Sequence, residues 1–292
     1  LFAPYNKLSE KDKFFRTFSS CGISNVDSNN QIDIAGKSLE FQEKLLISDL
    51  IFVLQGVEGE YIRISEKDNK KLILSIEPSF DSALRTLVYR ILPLAIDFDK
   101  VVNFCRNYGL YVKGLIIQAY CSSLKILIEE YLTLISQLEF QPSMSIQKLY
   151  LYVQPVQKTM RLLAEFCEQI SKNKAHGGGV LSYLHKKCAE FSGDKSATDL
   201  CNFLLNYASR PYVKMLERWL YFGEIFDTYS EFMIRENIDP KKKLPSGAAF
   251  DEIENWEYRY YVKVEMCPSN LTSVADKILN CGKYLNIVTS CG

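Results

Sequence analysis

Leu84, Leu87, Ile91, Leu94, Phe98, Val101 and Cys105 follow one another at alternating steps of three and four residues. That period places them on one face of an α-helix spanning Asp81 to Cys105. The phase passes through Pro93 without a slip. Proline removes a backbone donor and crowds the preceding turn. The spacing therefore predicts a helix kinked at Pro93 whose two halves still pack on one partner. Nothing on this face ionises, so it reads as core.

Most of the chain repeats the pattern. Leu39–Leu54 is strongly apolar, with Ser38 placed as N-cap, Glu40 in the first turn and Gly56 positioned to end the helix. Tyr61–Ile64 and Leu72–Leu74 flank the polar run 66–71 and predict a small β-hairpin, the only strand pair expected. Ser79 or Asp81 caps the helix that carries Pro93, and Tyr108–Gly114 is a turn-rich connector. Leu115–Phe140 gives the clearest single helix, with Ile117, Tyr120, Leu124, Leu127, Tyr131, Leu134 and Leu138 in one stripe. Ile116, Ile128, Leu132 and Ile135 widen that arc, so this helix should touch at least two neighbours.

Pro142 ends it. Ile146, Leu149, Val153, Val156, Met160, Leu163, Cys167 and Ile170 then mark a helix with Pro155 embedded. Lys172–Gly179 reads as a loop, and Leu181, Leu184, Cys188 and Phe191 as a short helix. Thr198–Ala208 reads as another short helix. Ser209 then caps a separate one that has Pro211 in its first turn and Tyr212, Met215, Leu216, Trp219 and Phe222 on its bulky face, with Gly223 closing it. Leu271, Val274, Ile278, Cys281, Leu285 and Val288 form a last helical stripe.

The fold class is all-α: an elongated stack of antiparallel helical bundles, roughly eight to ten helices, with at most one small β-hairpin. Four segments follow. Residues 1–37 are a mixed lead-in, with a short helix within Lys7–Phe18 and a loop at Ser24–Ala35. Residues 38–235 hold the bundles. Residues 236–255, with two prolines and a lysine run, read as a linker or mobile loop, and 256–292 as an aromatic patch with a closing helix.

Composition narrows the function more by exclusion than by assignment. A chain of 292 residues, 47% hydrophobic and 24% charged, matches a soluble globular protein with ample core. Lys+Arg and Asp+Glu each number 35, so there is no basic excess of the kind a duplex nucleic-acid binder carries. Nine cysteines show no CxxC and read as reduced thiols of the cytosol or nucleus. No apolar run approaches the roughly 18 residues of a membrane span, and the N-terminus has no signal-peptide core.

Candidate chemistry is sparse. His185 and Cys188 share a helix face but have no second ligand pair, so a core thiol beside a surface imidazole is preferred to zinc. Gly177-Gly178-Gly179 precedes a helix without the GxxxxGK[ST] spacing or a preceding strand, and reads as an interhelical loop. Glu129-Glu130 splay apart on a wet helix face, and Lys241-Lys242-Lys243 sit in a solvated loop, with acidic partners the alternative. Tyr229–Met233 (YSEFM) reads as a loop packed on the bundle. No catalytic, cofactor-binding or metal-binding residue is assigned, and the residues alone support a helical scaffold or interaction module, not an enzyme.

Several stretches together resemble the gamma-tubulin complex component family, most of all its component 2 branch. They are residues 50–64 (LIFVLQGVEGEYIRI), 80–95 (FDSALRTLVYRILPLA), 145–164 (SIQKLYLYVQPVQKTMRLLA), Gly177-Gly178 with 181–185 (LSYLH), 211–233 (PYVKMLERWLYFGEIFDTYSEFM), 256–262 (WEYRYYV) and 275–292 (ADKILNCGKYLNIVTSCG). They are collinear and cover most of the chain. The motif residues they share, expected to be structural, are Leu92, Pro93, Pro155, Gly177, Gly178, Trp219, Tyr229, Ser230, Phe232, Met233 and Gly282.

The resemblance implies the N-terminal grip domain, a rod of stacked bundles that contacts neighbouring components side by side, component 3 in particular. A second grip domain that binds gamma-tubulin would follow Gly292. The expected role is a non-catalytic scaffold for microtubule nucleation at a cytoplasmic microtubule-organising centre, the centrosome or spindle pole body. No cofactor is implied, and the lateral-interface residues are not assigned. The alternative is a helical tethering or adaptor subunit of vesicle traffic.

Overall fold

A computed structural model of the chain describes residues 36–67, 71–237 and 259–291. The expected helix within Lys7–Phe18, the loop at Ser24–Ala35, the hairpin tip, nearly all of the linker with its lysine run, and Trp256 lie outside the described residues. The described helices are α1 (Leu39–Leu54), α2 (Ser82–Tyr108), α3 (Leu115–Glu139), α4 (Ile146–Lys172), α5 (Gly178–Glu190), α6 (Lys195–Phe222) and α7 (Ala275–Cys291). No helix among the described residues is long and apolar enough to cross a membrane.

The apolar stripes become the core. Ile91, Leu94, Phe98, Val101 and Cys105 of α2 are buried, with Leu84 and Leu87 packed at the edge. Ile146, Leu149, Val153, Met160, Leu163, Cys167 and Ile170 of α4 are buried in the same way. Fully burying one such aliphatic or aromatic side chain contributes about 1.5–3 kcal/mol. The ion pairs, mostly exposed and spaced three or four residues apart on single helices, contribute about 0.3–0.5 kcal/mol each. Packing therefore decides the fold.

Neither proline breaks its helix. α2 runs through Pro93 and α4 through Pro155, each proline on an exposed side where water can reach the freed carbonyl. The most extensive helix packing joins α2 to α4, which are not consecutive in sequence. The Tyr108 hydroxyl meets Ser171 Oγ at 2.8 Å, and the Gln157 amide donates to the Arg90 carbonyl at 3.0 Å. Those two anchor points rise together along both helices, so α2 and α4 run parallel. α3 packs on α6, which in turn packs on α5 and α7.

Four expectations about the helices change. Residues 195–222 form one helix where two were expected; Cys201, Leu204, Ala208, Tyr212, Met215 and Trp219 keep one buried phase across Pro211. The apolar stripe outweighs the missing donor, and Ser209 does not cap a second helix but donates back to the Asn206 carbonyl at 3.1 Å. Gly178 and Gly179 belong to α5, not to the preceding loop. Ser38 occupies the N-cap position of α1 without a side-chain capping bond, whereas Asp81 Oδ1 accepts from the Ala83 amide at 2.8 Å and caps α2. α7 begins at Ala275, with a 3-10 turn at Thr272–Val274 ahead of it.

The hairpin forms as expected from β1 (Ile62–Lys67) and β2 (Lys71–Ile76), with Ile62 opposite Ile76. A second antiparallel pair corrects the expectation of a single one. β3 (Ile234–Glu236) and β4 (Tyr260–Val262) align Ile234 with Val262. Strands of three residues are too short for period-two alternation to show in a sequence. Flanking bonds extend the ladder, from the Lys263 amide to the Met233 carbonyl and from the Asn237 amide to the Arg259 carbonyl, both at 2.7 Å.

Candidate functional site

The motif residues gather at two junctions and on one helix pair. Leu92 is buried in α2, while Pro93 and Pro155 lie outward on α2 and α4, apart from the rest. Trp219 and Gly282 meet where α6 crosses α7. The Trp219 ring is fully buried, stands edge-on to Tyr260 at 5.0 Å between centroids, and donates Nε1 to the Ile278 carbonyl at 2.8 Å. Its six-membered ring occupies the space a Cβ on Gly282 would take. Here glycine is required by close approach, since a helix interior otherwise disfavours it.

Gly177, Gly178, Tyr229, Ser230, Phe232 and Met233 converge at the other junction, and the residue at its centre is Glu231. α3 starts at Gly114, whose φ of +112° and lack of side chain leave the helix without a cap of its own. Glu231, on a loop 115–116 residues further along the chain, fills the gap. Its carboxylate accepts from the Leu115 amide at 2.7 Å and the Ile116 amide at 3.2 Å and is fully buried. A carboxylate at a helix N-terminus satisfies orphan amides and favours the helix dipole. A Cβ on Gly114 would strike that carboxylate.

The loop that delivers Glu231 is itself held. Asp227 accepts from the Glu231 amide at 3.0 Å and the Phe232 amide at 2.8 Å. His176 Nε2 lies 3.1 Å from the Tyr229 carbonyl. Ser230 adopts φ +60°, and its carbonyl accepts from Arg235. Phe232 and Met233 are buried, with Phe232 packed on Tyr212 at 5.5 Å. Gly177, at φ +57°, starts α5 against the Glu231 backbone, and a Cβ on Gly178 would collide with the Met266 carbonyl. Burial pushes the Glu231 carboxyl above the ordinary glutamate range. The amides of Leu115 and Ile116 and the nearby His176 pull the other way.

A second buried carboxylate lies in α1. Asp49 in α1 accepts from the amides of Glu60, Tyr61 and Ile62 at 2.6, 3.0 and 2.7 Å and fixes the loop that enters β1. Glu43 of α1 accepts from the Ile146 amide at 2.9 Å at the start of α4. None of these carboxylates was singled out by sequence reasoning. The signal for Glu231 was an acidic residue inside the apolar run YSEFM, opposite a helix that opens on glycine.

Cys188 Sγ donates to Asn202 Oδ1 at 2.9 Å, and His185 is not drawn into a ligand set with it; no metal-ready group of three His, Cys, Asp or Glu occurs among the described residues. Glu129 and Glu130 are not brought together with any motif residue. Large apolar side chains do stand outside the core. Tyr221 and Phe222 end α6 and Phe226 follows it, and Tyr284 and Val288 lie on α7, which docks there through the Asn286 amide on the Gly223 carbonyl at 3.2 Å. Tyr89, Leu151 and Tyr152 are exposed on the α2–α4 pair.

Comparison with known proteins agrees with the motif series. A family model described as gamma tubulin complex component N-terminal matches residues 47–292. The chain is 37% identical over 275 residues to gamma-tubulin complex component 2 of Mus musculus, covering 92% of this chain and 30% of that protein. It is 34% identical over 292 residues to gamma-tubulin complex component 2 of Arabidopsis thaliana, covering 98% of this chain and 42% of the relative. Spindle pole body component alp4 of Schizosaccharomyces pombe is 25% identical over 354 residues, with 99% of this chain and 45% of that protein covered. The chain thus spans less than half the length of each of these relatives.

Proposed function

Since the chain belongs to the gamma-tubulin complex component family, we propose that it is a non-catalytic scaffold segment of a gamma-tubulin complex. In this reading the segment makes lateral contacts with neighbouring components, component 3 among them. It thereby holds gamma-tubulins in an array that nucleates microtubules at a centrosome or spindle pole body. Gamma-tubulin itself is bound by a part of the subunit other than this segment.

The observation that carries the reading is the family match over residues 47–292, which spans every helix from α2 to α7 and both junctions. Two features of the structure support it. The buried carboxylates of Glu231 and Asp49 are already filled by backbone amides. Aromatic side chains are left on outer faces, as lateral contact requires. A stable contact needs about 800 Å² per partner, more than any one of these side chains supplies. The vesicle-tether alternative gains nothing from the relatives.

The test is a pull-down with purified proteins. The chain should retain the N-terminal region of component 3 and leave gamma-tubulin in the flow-through. Capture of gamma-tubulin as efficiently as by the complete subunit would overturn the assignment of the segment to lateral contact.

A further inference from the structure

Charge is unevenly divided along the parallel pair α2 and α4. From Ser82 to Ile96, α2 holds Arg85 and Arg90 and no acidic residue. From Ile146 to Ala164, α4 holds Lys148, Lys158 and Arg161 and again no acid. Further along, each helix carries carboxylates that pair on their own helix, Asp97 with Lys100 at 2.9 Å and Glu168 with Lys172 at 2.7 Å. Of the five bases in the acid-free stretches, Arg161 alone reaches an acid, the exposed Glu165 one turn on at 3.3 Å. Arg85, Arg90 and Lys158 form no ion pair among the described residues. Arg85 Nε is buried and has no hydrogen-bond partner there.

The two stretches open onto one face. The bond from the Gln157 amide to the Arg90 carbonyl crosses an exposed seam between the helices. On α2, Arg85, Tyr89 and Pro93 follow at steps of four, with Arg90 beside them. On α4, Leu151, Lys158 and Arg161 share the side that carries Gln154. Tyr89 and Leu151 are large side chains left exposed. Pro93 and Pro155 leave the Tyr89 and Leu151 carbonyls without the amide that an α-helix supplies. Cations without acids, bare apolar side chains and backbone acceptors thus lie together.

We propose that the α2–α4 seam receives a neighbouring component, and that the surface it takes is acidic, with carboxylates set beside apolar side chains. The inference rests on the lateral-contact reading above and adds where, and by what chemistry, the contact is made. Tyr89 and Leu151 supply apolar area, while the bases set orientation and association rate and repel a basic surface. Partner carboxylates would also give Arg85 the acceptor it lacks. A folded acidic protein surface fits better than a nucleic acid, because Lys+Arg and Asp+Glu each number 35 and the chain has no basic excess beyond this face.

The experiment mixes the purified chain with the N-terminal region of component 3. A carbodiimide, which joins amines to carboxylates in contact, should link Lys158 or Lys148 to an aspartate or glutamate of component 3, mapped by mass spectrometry. Arg90→Glu combined with Lys158→Glu should weaken binding about tenfold in low salt with Tm unchanged. That gap should close as salt rises to about 0.5 M. The same charge change at exposed Lys186 of α5 and Lys214 of α6 should leave binding as it was. If the seam variant does not fold, the cross-link map and the salt dependence of the unaltered chain decide. Equal binding by the seam variant, an equal loss in the Lys186 and Lys214 control, or cross-links that avoid Lys148 and Lys158 would overturn the inference and leave lateral contact standing. Binding of duplex DNA at the seam in place of component 3, or no retention of component 3 by the unaltered chain, would overturn both.

Discussion

Asp49 and Glu231 are both buried carboxylates that accept from backbone amides, yet they fasten chain over very different spans. Asp49 reaches 11–13 residues forward and holds the loop that enters one hairpin. Glu231 reaches back 115–116 residues and caps α3, while its own backbone packs against the start of α5 and leads into β3. Losing the first frees a local turn. Losing the second loosens the start of α3 together with the loop that packs on α5. A buried polar group is costly unless satisfied, so the same chemistry gives a local clip in one place and a tertiary lock in the other.

The contrast is broken most sharply at the lock. Glu231→Ala leaves two buried amides without an acceptor and should lower stability by about 2–4 kcal/mol in denaturant titrations. Glu231→Gln retains an acceptor oxygen and should cost less. Gly282→Ala forces a methyl into the Trp219 ring and should cost about 1–3 kcal/mol, as a lock made by packing alone. Asp49→Ala should cost about 1–2 kcal/mol, because water reaches part of the 57–61 loop, and its effect on hydrogen exchange should stay near β1.

A pH series sharpens the comparison further. The folded-state pKa of Glu231 is raised, so the folded chain binds its proton more tightly than the unfolded chain does. As pH rises from the ordinary glutamate range through the raised value, this group's contribution to stability falls. The stability of the native chain relative to Glu231→Gln should therefore decline as pH rises above the ordinary glutamate range, measured as a difference in Tm. The smallest effect belongs to the outer faces. Phe226→Ser and Tyr221→Ser should change stability by less than about 0.5 kcal/mol, while weakening retention of component 3 in the pull-down.

How much of this was legible depends on the range of the interaction. The stripes of α2, α3 and α4 were readable because helical periodicity is a local signal, and Gly56 and Gly223 marked helix ends because their φ values of +82° and +67° suit glycine. Pro211 misled because a proline after a serine looks like a helix start, and only the packing of α6 on α3 and α7 shows that the stripe prevails. The β3–β4 pair joins two three-residue pieces across an intervening segment and leaves no local trace. Gly177 and Gly282 stood out as motif residues, but the reason for each is a neighbour distant in sequence. Glu231 was inside the motif and went unremarked, since nothing near it in the chain names Gly114 as its target.

The most direct test of the lock is native-state hydrogen exchange at the Leu115 and Ile116 amides in the native chain and in Glu231→Ala. The account predicts strong protection of both amides in the native chain, and in the variant a large loss there with Tyr61 and Ile62 unchanged. Equal protection of Leu115 and Ile116 in the two proteins, or a loss spread evenly to Tyr61 and Ile62, would contradict it.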